Sequence, residues 1–429
     1  MPRPSPSRPF QRTRSTLLGL CEVPDDVAEV TVRGDEAPAK EAGVSRAKVE
    51  RVWQHIEELY RSGAHPAIQV SIRCRNAEVL HRAIGHASGN SPSDRAARIP
   101  LRPIELDTPV NLFSAAKAVT AMIVHKLHDD GVLSVDDPVA AHIPEFGRAG
   151  KQGITIRHVL AHRAGIPTPP PGSFDLDLLK EPETLLDLLC DAEPEHDPDA
   201  YSSYHAVTGG FVMAEIVRRR TGRTLREIAD SELKQPLGLS WLDFGVSPGD
   251  VSLVARNATT VPALIAPVRR LLARAIGAPL ETVIEWSHDA RFLPALVPSA
   301  NLVTTAHDIG VFYQCLLDGG EYGGRRIFEA GAIERSRRIE SRGQLDRMLM
   351  IPMAYSAGFM CGSSGLSLYG WNHPRAFGHL GLSNIFTWAD PDRALAVALL
   401  TTGKPIVTPH VVPLLQILSS IHDAFPPVD

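Results

Sequence analysis

Asn111-Leu-Phe-Ser114-Ala-Ala-Lys117 is the stretch on which the reading of this 429-residue chain turns. It opens an apolar segment, Phe113 to Asp130, in which Val119, Ile123 and Leu127 lie on one stripe and Gly131 stands at the C-cap. That spacing predicts a helix. Ser114 in the first turn and Lys117 three residues later share a face. A lysine withdrawn from water loses basicity and can accept the hydroxyl proton. The positive end of the helix dipole favours an alkoxide and an acyl oxyanion at the same place.

The Ser-x-x-Lys spacing occurs twice more, at Ser45-Arg-Ala-Lys48 and Ser231-Glu-Leu-Lys234. Spacing alone leaves all three open, since an ordinary serine in a first helical turn fits each. Context separates them. Ser45 reads as the N-cap of a charged amphipathic helix to Tyr60, with Val49, Val52, Ile56 and Leu59 inward. Ser231 lies in a polar segment just before Pro236-Leu237-Gly238. Only the helix after Ser114 is apolar enough to bury its lysine.

Outward from this helix, Ala67–Cys74 and Ala77–Ile84 alternate apolar and polar residues around Arg75-Asn76 and predict a β-hairpin. From about 135 to 300 the patterns are helical and proline-rich, with a stiff Pro167–Pro171 loop. Strands return at Ala357–Cys361, Asn384–Ala389 and Ala394–Thr401, with a turn at Asp390–Arg393. Val407 to Phe425 reads as a closing helix. The expected class is α+β: an antiparallel sheet built from both chain ends, flanked by helices, with a largely helical inserted domain. The expected division is a partly disordered tail over 1–44, an α/β domain over 45–134 and 300–429, and a helical insertion over 135–299. A cleft between the last two is the natural site.

Composition removes several classes of function. Hydrophobic residues at 44% supply enough apolar material to exclude bulk disorder. A net charge of −5 gives no basic excess for a nucleic-acid partner. No apolar run is long enough to span a membrane. Residues 1–14 carry four Arg and four Pro, and the apolar Leu17-Leu18-Gly19-Leu20 is too short for a secretory core. Five scattered cysteines without a Cys-x-x-Cys pair argue against a disulfide framework and for a reducing compartment, the cytoplasm.

Other motifs carry less. There is no P-loop, no Gly-x-Gly-x-x-Gly after a strand and no His-Glu-x-x-His. Gly245-Val-Ser247-Pro-Gly249 has the outline of a nucleophile elbow, but Pro248 has no N–H for an oxyanion hole, so it reads as a turn. His158 and His162 stand four apart, as metal ligands can, but no third ligand is evident, and packed or capping histidines fit better.

In order along the chain come NLFSAAK at 111–117, Gly131-Val-Leu-Ser-Val-Asp-Asp-Pro-Val139, Ile143-Pro-Glu-Phe146 and His158-Val-Leu-Ala-His-Arg-Ala-Gly-Ile166. Together they resemble the serine β-lactamase-like superfamily, in its branch of class C β-lactamases, D-alanyl-D-alanine peptidases and family VIII carboxylesterases, from about residue 45 to 420. The resemblance implies a nucleophile at Ser114 with Lys117 beside it and a tyrosine box on the helical domain. Tyr201-Ser-Ser203 and Tyr204-His-Ala206 compete for that box. Tyr204 is preferred, because the following Thr208-Gly-Gly210 and its spacing to Gly222 fit the esterase-like form. It further implies a Lys/His-x-Gly box on an edge strand facing the serine, here Gly378-His379-Leu380-Gly381. Backbone N–H groups of Ser114 and Leu382 would form the oxyanion hole.

Two departures from the family pattern set the expected activity. The tyrosine box ends in Ala206 where lactamases and peptidases usually have Asn, and His379 stands where most β-lactamases have Lys. Both favour a neutral ester. The expectation is a serine carboxylesterase acting on short- to medium-chain esters through an acyl-enzyme on Ser114. Lys117 and Tyr204 would serve as base and acid, and His379, Gly381 and Leu382 would line the substrate and oxyanion side. The Pro167–Pro171 loop would help shape the acyl pocket. No metal or cofactor is expected, and the partner is a small-molecule ester. A β-lactamase, DD-peptidase or acyltransferase of the same fold is the alternative; a catalytically inactive binding protein is the further one.

Overall fold

A computed structural model describes residues 19–173, 175–260, 266–406 and 410–428. Its main sheet comprises β1 (Thr31–Arg33), β2 (Ala67–Cys74), β3 (Ala77–Ser88), β4 (Ile339–Asp346), β5 (Ile351–Ser356), β6 (Met360–Cys361), β7 (Phe377–Gly381), β8 (Ile385–Asp390) and β9 (Leu395–Thr401). They run antiparallel in the order β1-β3-β2-β9-β8-β7-β6-β5-β4, with the short Arg102–Pro103 strand paired to β3. No strand of this sheet falls between Pro103 and Ile339 among the described residues. The sheet is therefore built from both ends of the chain, as expected. It also starts earlier than Ser45, since Thr31–Arg33 pairs with Arg82–Ile84.

Alternation in β9 assigns the two faces. Leu395, Val397 and Leu399 pack into one apolar cluster with the helix α1 (Arg46–Arg61), while Ala396, Ala398 and Leu400 join a second cluster. That second cluster takes in α2 (Ala116–Asp129), α3 (Thr208–Thr221) and α4 (Ala306–Leu317). The closing helix α5 (Val411–Ala424) lies beside α1 through Ile417 and Ile421. Residues 407–409 of the expected closing helix fall outside the described residues. The sheet thus has helices on both sides. Among the described residues no helix is long and apolar enough to cross a membrane.

The β2–β3 hairpin turns through Arg75 and Asn76, both at positive φ (49° and 68°), the conformation of a tight two-residue turn. All eight residues of β2 are buried, although their pattern alternates. Its polar members are paired rather than wet: Gln69 Nε2 donates to the carbonyls of Glu105 (2.7 Å) and Thr108 (2.9 Å), and Ser71 Oγ donates to Glu78 (2.5 Å).

Several boundaries differ from the sequence reading. The helix expected from Phe113 begins as a 3-10 turn, Phe113–Ala115, before α2. The strand expected over Ala357–Cys361 is reduced to Met360–Cys361. The strand bearing His379 is not an edge of the whole sheet. β6, β5 and β4 lie beyond it, but β6 pairs only Phe377 and Gly378, so His379–Gly381 is unpaired on that side.

A small second sheet positions the site. Val110–Asn111, just before the nucleophile motif, pairs with Leu302–Thr304, which also pairs with Leu242–Phe244. The segment leading to Ser114 is thereby tied to a strand within the helical middle and to the residues just after it.

Candidate active site

Strand pairing delivers the chain to Ser114 in a fixed direction. The Leu112 N–H donates to the Leu302 carbonyl at 2.8 Å, and the Phe113 N–H donates to Asn111 Oδ1 at 3.2 Å. Phe113 then takes φ 49°, a left-handed conformation uncommon for an aromatic residue, and the chain bends into the Phe113–Ala115 turn. The turn runs straight into α2, so Lys117 follows Ser114 by one turn.

Lys117 is held by two backbone carbonyls. Its Nζ donates to Ala206 (2.7 Å) and Ser299 (3.1 Å), and lies 5.1 Å from the ring centroid of Tyr204. Burial without a carboxylate partner brings its pKa down to about 7. Two N–H groups spent on carbonyls leave the neutral amine a free lone pair, which suits a base. Tyr204 is buried and hydrogen-bonds to Ser114 through its hydroxyl; burial raises its pKa, with that bond opposing. Ser114, Lys117 and Tyr204 therefore meet at one place. Tyr201 does not join them: Arg347 lies 3.6 Å over its ring, and it packs on His196.

His379 stands behind this group. It is 1% exposed and pairs its Nδ1 with the Leu380 carbonyl at 2.8 Å, which leaves Nε2 buried without a partner. Burial, and then the neighbouring Lys117, bring its pKa down to about 3, so the ring is neutral. It borders a void of about 30 Å³ shared with Lys117, His162 and His205, room for one water molecule.

The larger space is in front. A cavity of about 490 Å³ is bordered by Ser114, Tyr204, Ala206, Gly381 and Leu382, with mostly apolar side chains beyond. Its described lining has no Lys, Arg or His, so His379 is not among the cavity's bordering residues. Gly381 lies against the nucleophile segment: a Cβ there would sit 2.3 Å from the Leu112 carbonyl oxygen. None of Pro167–Pro171 borders the cavity. Ser173, Leu176 and Leu179, just beyond that loop, do.

Two neighbours of the site were not anticipated from sequence. His162, at φ 59°, packs its ring at a tilt against Tyr204 (4.6 Å between centroids) and edge-on to Tyr355 (4.9 Å), and its Nδ1 accepts from the His205 N–H at 3.1 Å. Burial holds it neutral. Asp346 is fully buried and accepts from the N–H groups of Met348 (2.9 Å), Leu349 (2.8 Å) and Tyr204, and from the Tyr355 hydroxyl (2.9 Å). It ties the β4–β5 hairpin to the tyrosine box. His158, by contrast, caps its own helix: its Nδ1 accepts from the Thr155 N–H at 3.1 Å and its Nε2 meets Asp199 at 3.0 Å.

The competing motifs have other occupations. Lys48 donates to the Asp423 carbonyl at 2.8 Å. Lys234 is paired with Asp243 at 2.8 Å, and Ser231 Oγ donates to the Glu227 carbonyl. Ser247 is exposed and precedes the 3-10 turn Pro248–Leu253.

The beta-lactamase family model matches residues 52–418. Esterase/beta-lactamase LipL of Mycobacterium tuberculosis is 30% identical over 318 residues, 72% of this chain and 71% of that protein. A penicillin-binding protein homologue from Caulobacter crescentus is 25% identical in its crystal structure, with a TM-score of 0.74 over 89% of this chain and 99% of the other. A family VIII carboxylesterase structure is also 25% identical, with a TM-score of 0.73 over 88% and 98%. The family match runs from within α1 to within α5 and takes in every strand of the main sheet except β1, together with Ser114, Lys117, Tyr204 and His379. The chain therefore belongs to the beta-lactamase family, within the serine β-lactamase and transpeptidase superfamily, as a hydrolase of that fold.

Proposed function

We propose that this chain is a serine carboxylesterase that cleaves neutral short- to medium-chain esters through an acyl-enzyme on Ser114. The observation that carries the reading is the meeting of Ser114, Lys117 and Tyr204, with Ser114 and Tyr204 bordering an apolar cavity whose described lining holds no cation. Ser114 Oγ attacks the ester carbonyl as its proton passes to the Lys117–Tyr204 pair. The same proton then goes to the departing alcohol. Water attacks the acyl-enzyme, releasing the acid and restoring the Ser114 hydroxyl. The N–H groups of Ser114 and Leu382 hold the oxyanion, a contribution of about 3 kcal/mol per donor in such sites. Gly381 lets the strand approach closely enough to present them. His379 keeps a neutral ring behind Lys117. Five free buried cysteines fit a reducing, cytoplasmic setting.

A β-lactamase activity is the second reading, favoured by the double name of the mycobacterial relative. The test is turnover of p-nitrophenyl butyrate and nitrocefin by wild type, Ser114→Ala, Ser45→Ala and Ser247→Ala. Ester turnover lost only in Ser114→Ala, with feeble nitrocefin hydrolysis, is expected. Full turnover by Ser114→Ala removes the nucleophile, and nitrocefin as the better substrate moves the activity to β-lactamase.

A further inference from the structure

The cavity beside Ser114 is far larger than a short acyl group requires. Its volume is about 490 Å³. The space is many times the void of about 30 Å³ behind Lys117 and exceeds a butyryl group several-fold. An acetyl or butyryl group leaves most of this wall without contact and forgoes the dispersion and desolvation it offers. Much of the wall comes from two apolar clusters, one with Leu176, Phe292 and Val297, the other with Ala275 and Met360, and the cluster around α2 adds Phe113 and Val283. Asp175 is the one charged side chain in the described lining. A space this size, apolar along its walls and polar where Ser114 and Tyr204 stand, matches a molecule with an ester at one end and a hydrocarbon tail.

Resting on the esterase reading, we propose that the substrate carries one linear apolar chain of about eight to twelve carbons, seated in this cavity against a wall that includes Ala275 and Val283. Which side of the ester carries the chain is decided by the substrates used. Rates are measured below the critical micelle concentration on p-nitrophenyl esters from acetate to hexadecanoate, and on the reversed pair methyl decanoate and decyl acetate. Each buried methylene raises kcat/KM by about threefold to fourfold at most. At least a tenfold rise from butyrate to decanoate is expected, with a fall by hexadecanoate, where the chain outgrows the room. Preference for methyl decanoate puts the chain on the acyl side; preference for decyl acetate puts it on the alcohol side.

Ala275→Trp and Val283→Phe fill the cavity and are expected to cut the decanoate-to-butyrate ratio at least fivefold. That ratio, taken on one preparation, does not depend on the fraction folded. A wild-type optimum at butyrate or below, or a ratio unchanged in both variants, overturns the inference and leaves the esterase reading standing. No turnover of any ester sinks both.

Discussion

Lys117 is the residue whose chemistry the site most constrains. A protonated ammonium facing two carbonyls and no carboxylate is poorly compensated, and burial lowers its pKa to about 7. A base must be unprotonated, so kcat/KM is expected to be low below that pH and to climb through one limb near 7. His379 and His205, with pKa values brought down to about 3, and His162, also well below its usual value, add no limb of their own in that range. A pH-stat profile checks this; a limb near 5, or none, contradicts it. Lys117→Arg, which keeps a charge that cannot be shed, is expected to lose about 10²–10⁴ in kcat, as is Tyr204→Phe, while Tyr201→Phe stays near wild type. A larger loss at 201 reverses the choice of tyrosine. Ser114 and Lys117 were legible because one helical turn fixes their proximity. His162 and Asp346 were not, since each meets Tyr204 only through tertiary packing from a separate segment.

β7 shows how an element, rather than a residue, sets the geometry. Its Gly381 has a backbone oxygen where a Cβ would be, so Gly381→Ala must push the strand away from Leu112 and Ser114. A stability loss of about 1–3 kcal/mol is expected, with a tenfold or greater loss of kcat, measured by urea unfolding and ester turnover. Unchanged kcat would mean that this close approach does not shape the site. The β4–β5 hairpin supports the other side. Asp346→Ala orphans the buried Tyr355 hydroxyl and three N–H groups and is expected to cost about 2–4 kcal/mol. β9 could be read from sequence because Leu395–Leu400 is an unbroken apolar run set off by the Asp390–Arg393 turn, as a strand buried on both faces must be. The β4–β5 hairpin could not. Its register shifts twice, between Ile339 and Ser341 and between Ser341 and Gln344, and half of β4 is exposed. The pattern of period two that marks a strand is broken there.

At the scale of the whole molecule, the order of elements carried the fold class: a hairpin early, helices between, strands and a helix late. The pairing of distant segments did not follow from it. Arg82, with its side chain fully buried in β3, joins Glu36 from the segment before α1 (2.7 Å) and Glu50 within α1 (2.7 Å). Nothing local in the sequence marks those partners. Arg82→Met leaves Glu36 and the half-buried Glu50 to Arg46 alone and is expected to destabilise the chain by about 1–3 kcal/mol in urea unfolding. The same long-range assembly must select one serine out of every Ser-x-x-Lys and Gly-x-Ser-x-Gly in the chain. The direct measurement is intact-protein mass spectrometry with peptide mapping after reaction with a p-nitrophenyl alkylphosphonate. One adduct per chain, on the peptide containing Ser114 and lost in Ser114→Ala, is the expected result. An adduct on the peptide bearing Ser45, Ser231 or Ser247, or none at any serine, would contradict the account.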